Sequence, residues 1–227
     1  MLSDLSRLEA LGSKLDRAID FGFFSFFAYP LLALLKFFYS VVGSYGIAII
    51  LLTVSMKALT FPLTQKSMQS MQRMKEIQPE IKKLQEQHGE NKEALNQEMM
   101  RLMSEKKVNP LGGCLPTVVQ LPVWFALYRV LQSSIELYQT SFLYLKDLSA
   151  ADPYGISPIL VGTLMVLQQR MTPTASVDPT QQRMMQLMPV FFSFIMFSLP
   201  SGLVVYILVN SALSITHHAL FMKYKST

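Results

Sequence analysis

Cysteine is nearly absent. Cys114 is the only one in 227 residues, so the chain forms no internal disulfide and no Cys-based metal site. Charge is scarce as well. Asp, Glu, Lys and Arg make up 15% of the chain, against roughly 25% in an average soluble domain, while hydrophobic residues make up 51%. The charges leave long gaps, with none in residues 37–56, 108–128, 153–169 or 184–222. Apolar stretches of about 18 residues or more read as membrane spans. These shortages exclude a secreted disulfide scaffold and a disordered chain, and they argue strongly against a soluble enzyme. Catalytic signatures are missing too: there is no His-Glu-x-x-His, no Gly-x-Ser-x-Gly and no phosphate loop. His217 and His218 are adjacent, so on a helix they point about 100° apart and ligate one metal poorly. No catalytic residue, metal or small-molecule cofactor is expected.

The net charge is +5, and its placement matters more than its total. Of 20 Lys and Arg, nine lie between Lys66 and Lys107. In a membrane protein such an excess marks the cytoplasmic side. Ribosomal RNA is a possible polyanionic partner for the same patch; DNA is not expected.

Leu2, Leu5, Leu8, Leu11, Leu15 and Ile19 recur at three- and four-residue spacing, which predicts an amphipathic helix over residues 1–20. Acids interrupt it, so it is no secretory signal. Residues 21–42 are apolar and aromatic but contain Pro30 and Lys36. Two readings stand: a span kinked in its middle, or a helix lying in the membrane interface. The dozen or so residues after Pro30 would reach only about 18 Å as a helix, short of a ~30 Å hydrocarbon layer, which favours the interface.

Five spans follow, at about residues 43–63, 111–131, 156–171, 184–199 and 203–222. The last two come from one uncharged stretch, divided by a turn at Pro200-Ser201-Gly202. Residues 65–108 are the polar insertion. Met68, Met71, Ile77, Ile81 and Leu84 make one apolar stripe, and Leu95, Met99 and Leu102 another, with a break at His88-Gly89-Glu90-Asn91. The expected object is a two-helix hairpin in water, its first arm kinked or broken at Pro79. The predicted fold is thus an all-α membrane protein: an interfacial amino-terminal segment (1–42) and a five-span core (43–227) carrying the hairpin. With the hairpin inside, Arg170, Arg183, Lys223 and Lys225 also fall inside, and the loop between spans two and three lies outside with Lys146 as its only Lys or Arg. The amino-terminal segment is then outside, which leads us to expect an export segment upstream of Met1. Sixteen residues of helix reach about 24 Å, so the third and fourth spans should thin the bilayer around them.

Lys57 is the sharpest signal. A Lys near the middle of a span costs about 2.5–3.5 kcal/mol on insertion scales. Snorkelling to the nearby cytoplasmic end is one reading. The other is a wet cavity, because Thr53, Lys57, Thr60 and Thr64 share one helical face. Thr117 and Gln120 in the second span, Gln168 and Gln169 in the third, and Tyr206, Asn210, Ser214 and His217 in the fifth supply matching polar groups, with interhelical hydrogen bonding as the competing explanation for each. Together they suggest a hydrophilic groove with one positive charge. No Asp or Glu lies within the five spans, unlike a proton relay or ion-coupled transporter. A small-solute channel or transporter is the alternative function on these residues. The 15 Met residues suit surfaces that fit many apolar partners, and equally suit ordinary packing.

Several segments carry a resemblance: Phe61-Pro62-Leu63-Thr64, Lys107-Val108-Asn109-Pro110-Leu111-Gly112-Gly113-Cys114, Gln120-Leu121-Pro122, Asp147-Leu148-Ser149, Asp152-Pro153 and Pro200-Ser201-Gly202-Leu203. In order and layout the chain resembles the YidC family of bacterial membrane protein insertases, related to the organellar oxidase-assembly and Albino insertases. The resemblance implies a cytoplasmically open groove with Lys57 at the family's usual Arg and with Thr53 and Gln120 at groove positions; Thr60, Thr117, Tyr206 and Asn210 join them as candidate lining on the polar faces read above. It also implies substrate-span contacts along the second and fourth core spans, at Pro116, Leu121, Phe125, Met188, Phe192 and Met196. Of an aromatic pair often seen early in the last span, Tyr206 remains and Ile207 replaces the other. The implied partners are nascent membrane proteins, the ribosome, the bilayer and in some settings the Sec translocon. The implied location is the bacterial inner membrane, with hairpin and carboxyl terminus cytoplasmic. The resemblance favours the interfacial reading of residues 29–42 and makes the first twenty residues look like the tail of a periplasmic domain.

Overall fold

The computed structural model describes residues 25–88, 91–109, 112, 115–133, 137–171 and 179–225. The amphipathic helix expected for residues 1–20 lies outside these, as do Gly89, Cys114 and the side chain of Lys225. The described residues form seven helices: α1 (Ser25–Val42), α2 (Tyr45–His88), α3 (Lys92–Glu105), α4 (Leu115–Ser133), α5 (Ile156–Met171), α6 (Pro179–Met196) and α7 (Ser201–Lys225). Two are long and apolar enough to cross a membrane, α2 and residues 201–223 of α7. Shorter apolar segments are Phe26–Val42, Val118–Leu131 and Arg183–Met196.

Helix α1 starts five residues before Pro30 rather than after it. Pro30 lies past the first turn, whose N–H groups have no intrahelical partner, so its missing N–H costs the helix the bond to the Phe26 carbonyl. Its inner face, Ala28, Leu31, Leu32 and Leu35, is buried with residues of α2 and α4, while Phe26, Phe37 and Val41 face outward. Between lipid-facing helices the hydrophobic effect adds little, so this core is held by close packing and interhelical hydrogen bonds.

The first predicted span and the first hairpin arm are one 44-residue helix, α2, about 66 Å long at 1.5 Å per residue. It is continuous through Pro62 and Pro79, so of the kink or break expected at Pro79 the break is excluded. Both prolines are exposed, so each ring lies on the outer side and the carbonyl it frees can be solvated. The two predicted stripes meet: Met74, Ile77 and Ile81 bury against Met103 and Val108, flanked by Met99 and Leu102. Asn91 starts the second arm, its side chain accepting from the Ala94 amide at 3.1 Å. Ser70 donates to the Asn109 carbonyl at 2.9 Å, and Lys75 reaches the last carbonyl of α5, Met171, at 3.2 Å. The hairpin base is therefore tied to the bundle.

Helix α6 starts at Pro179, and its apolar segment is Arg183–Met196. The turn before α7 is residues 197–199, and Ser201 and Gly202 already belong to α7. One loop, residues 137–155, touches the start of three helices. Phe142 packs directly on Gly46 of α2. The Ala150 and Leu148 carbonyls accept the Ser201 and Gly202 amides at 2.7 and 2.9 Å, and the Ser201 hydroxyl donates to the Asp147 carbonyl at 2.8 Å. Asp152 accepts from the Ser157 amide and hydroxyl, at 2.8 and 2.6 Å, at the start of α5. First-turn amides lack intrahelical partners, and the loop supplies them for both α5 and α7.

Candidate functional site

Helix α7 carries Tyr206, Asn210, Ser214 and His217 at four-, four- and three-residue steps, so they line one face. That face meets α2 and α4. Lys57 of α2 turns into the bundle. Its Nζ donates to Ser214 Oγ at 2.6 Å and to Asn210 Oδ1 at 3.3 Å. One turn further on, Phe61 stacks on His217 with ring centroids 4.7 Å apart. One turn before Asn210, Tyr206 is buried and accepts a hydrogen bond from the Gln120 side chain of α4. One face of α7 thus makes two polar links, to α2 through Lys57 and to α4 through Gln120, which together form a polar seam. Among the described residues, no carboxylate pairs with Lys57.

The threonines behave differently from the seam. Thr53 is buried and donates to the Ile49 carbonyl at 2.7 Å. Thr60 donates to Met56 at 2.9 Å and Thr64 to Thr60 at 2.9 Å. Each hydroxyl hydrogen is returned to its own helix, which lets a polar residue sit inside a span without a partner elsewhere. Their lone pairs are what they offer to the seam. The side chain of Thr117 lies outside the described residues. Gln169 of α5 donates to the Met185 carbonyl of α6 and stands apart from Lys57.

Of the residues expected along the second and fourth spans, Leu121, Phe125 and Met188 are exposed and Pro116 is half-buried. Phe192 is half-buried and Met196 is 2% exposed, packed with Val161 and Val204. Met196 is therefore a core residue, and the outward row of α6 is Leu187, Val190, Phe191 and Phe194. The reason is helical phase: Met196 follows Ser193, which donates to the Pro158 carbonyl of α5, on the side facing α5 and α7. A shallow groove of about 430 Å³ runs between α5 and α6, lined by Ile159, Thr163, Val190, Phe194 and Phe197. Its floor is Gly162, where an added Cβ would lie 2.5 Å from Ser193 Oγ.

Sequence reasoning passed over the role of Asp152, because it reaches the Ser157 amide from five residues upstream, outside the two- or three-residue spacing of a helix cap. It also had no means of pairing Phe61 with His217, since neither residue signals a stack. Among the described residues, Trp124 Nε1, Gln72 Oε1, His217 Nε2 and His218 Nδ1 are buried without a protein partner.

A long-helix bundle with an inward ammonium and a polar seam between apolar helices defines an integral membrane protein with an internal hydrophilic site. The family model described as 60Kd inner membrane protein matches residues 37–227, and the chain belongs to that family. It is 49% identical over 221 residues to the membrane protein insertase YidC of Geotalea daltonii, covering 97% of this chain and 42% of that one. To the membrane protein insertase YidC of Geobacter sulfurreducens it is 50% identical over 213 residues, covering 93% and 40%. Its fold is similar to the crystal structure of an active YidC insertase with the first transmembrane domain resolved, with a TM-score of 0.67 and 28% identity over 86% of this chain and 46% of that one. The chain spans about two fifths of the length of these curated relatives.

Proposed function

We propose that this chain is the core of a bacterial inner-membrane insertase, which moves short polar tails across the bilayer and releases apolar spans into lipid. The observation that carries the reading is the inward Lys57, held by Asn210 and Ser214 rather than stretched to a headgroup. Five helices, α2 and α4 to α7, span the membrane, with hairpin and carboxyl terminus cytoplasmic and α1 in the interface. Water in the seam satisfies the buried Trp124 and His217 nitrogens, as ordered water does for buried polar groups generally. The positive charge draws an acidic leading tail into the seam. Helices α5 and α6, about 24 and 27 Å long, thin the bilayer and shorten the remaining path. The apolar part of the substrate leaves along the exposed faces of α4 and α6, past Leu121, Phe125 and Met188. Its transfer is downhill by a few tenths of a kcal/mol for each strongly apolar residue. Nascent membrane proteins are the substrates, the ribosome meets the basic hairpin, and the Sec translocon is a possible companion.

The test is protease protection of a single-span substrate with an acidic tail, in liposomes holding the purified chain. Lys57→Ala lowers protection and Lys57→Arg retains it. Equal protection by both contradicts the role of the charge. Solute flux without any protein substrate would instead favour a channel.

A further inference from the structure

The Lys57 ammonium fixes the orientation of the groups around it. A lysine ammonium only donates, so the Asn210 amide must turn its oxygen toward it, and Oδ1 does lie 3.3 Å from Nζ. The two Nδ2 hydrogens of the same amide are then directed away from the cation. Ser214 is constrained in the same manner. Its hydroxyl hydrogen goes to the Asn210 carbonyl at 2.7 Å, which leaves only lone pairs for Nζ at 2.6 Å. Two of the three Lys57 hydrogens are thus engaged among the described residues. The third hydrogen and the Asn210 NH₂ remain as donors on two side chains already joined by one hydrogen bond. All three residues are half-buried, so a group entering the seam can reach them.

We propose that Lys57 and Asn210 act together as a two-donor receptor for a side-chain carboxylate of the substrate's leading tail. One carboxylate oxygen takes a hydrogen from Nζ and the other from Nδ2. Ser214 is the positioning residue that holds the ammonium beside the amide against the reach of its flexible stem. A carboxylate accepts through two oxygens and suits paired donors better than a single point charge does. The proposal rests on the insertase reading and adds a second recognising residue to it.

The experiment uses the full chain in liposomes and two substrates that differ only in one tail residue, Asp or Asn. The readout is the ratio of protected Asp-tail to protected Asn-tail substrate, which is indifferent to how much of a variant folds. Asn210→Asp puts an acceptor-only carboxylate beside Lys57 and is expected to lower the ratio about tenfold, the loss of one charge-assisted hydrogen bond. Asn210→Ala lowers it less. Ser214→Ala lowers it and Ser214→Thr, which keeps the hydroxyl, restores it. Because Asn210→Asp also pairs the ammonium, Asn210→Ala decides: if Lys57→Ala lowers the ratio while Asn210→Ala leaves it unchanged, the two-donor receptor is overturned and the insertase reading stands. If Lys57→Ala leaves the ratio unchanged, the charge reading falls and the receptor with it.

Discussion

Asp152→Asn should remove a pH-dependent part of the protein's stability. The Asp152 carboxylate is 6% exposed and accepts four hydrogen bonds: from the Ser157 amide and hydroxyl, the Tyr144 hydroxyl at 2.8 Å and the Tyr154 amide at 2.9 Å. Burial alone would raise its pKa. The donors from Ser157, Tyr144 and Tyr154 outweigh burial and hold it at about 2, against an ordinary value of 3.8. That difference corresponds to about 2 kcal/mol, reduced to roughly 1–2 kcal/mol where water reaches the loop. The folded pKa is the lower one, so the stabilisation is complete above the unfolded value and is lost as pH falls from about 5 toward 2. An Asn offers one acceptor oxygen and turns an NH₂ group toward other donors, so the variant forfeits this contribution at neutral pH. Thermal unfolding in detergent micelles, followed by the fluorescence of the single Trp124, should show the variant melting a few degrees lower at pH 7. The gap should close as pH approaches 2. Subtracting the variant from the unmodified chain removes the titration of every other carboxylate, including Asp147. A gap that stays constant from pH 7 to pH 2 would refute the reasoning.

Two further outcomes are expected. Gly46→Ala places a methyl group inside the Phe142 ring and should destabilise by about 1–3 kcal/mol; adding Phe142→Ala should recover part of that loss in a double-mutant melting cycle. Tyr206→Phe leaves the half-buried Gln120 amide without its acceptor and should lower stability by about 1 kcal/mol, measurable by the same melting assay.

Helix α5 is legible to the residue, because its apolar run is bounded by Gly155 and by the basic end at Arg170. The hairpin stripes are legible because each is periodic. The continuity of α2 is not. Pro62 and Pro79 are strong local breakers, and whether a helix survives them depends on which side the ring faces, which is a tertiary fact. The polar face of α7 can be read from spacing alone, but its link to Lys57 joins residues 153 positions apart. The inward phase of Met196 is also hidden, since the polar residues of α6 lie in its first half apart from Ser193, which donates to the Pro158 carbonyl of α5. The amino-terminal ends of α5 and α7 are equally silent about the loop that supplies their first hydrogen-bond acceptors.

That loop has a mechanical consequence. Because residues 142–152 grip α2, α5 and α7 at the same end, these helices share a common fulcrum there. Any widening between Lys57 and Asn210 then proceeds as a swing about that end, like the blades of shears, and the displacement grows with distance toward Lys75 and His217.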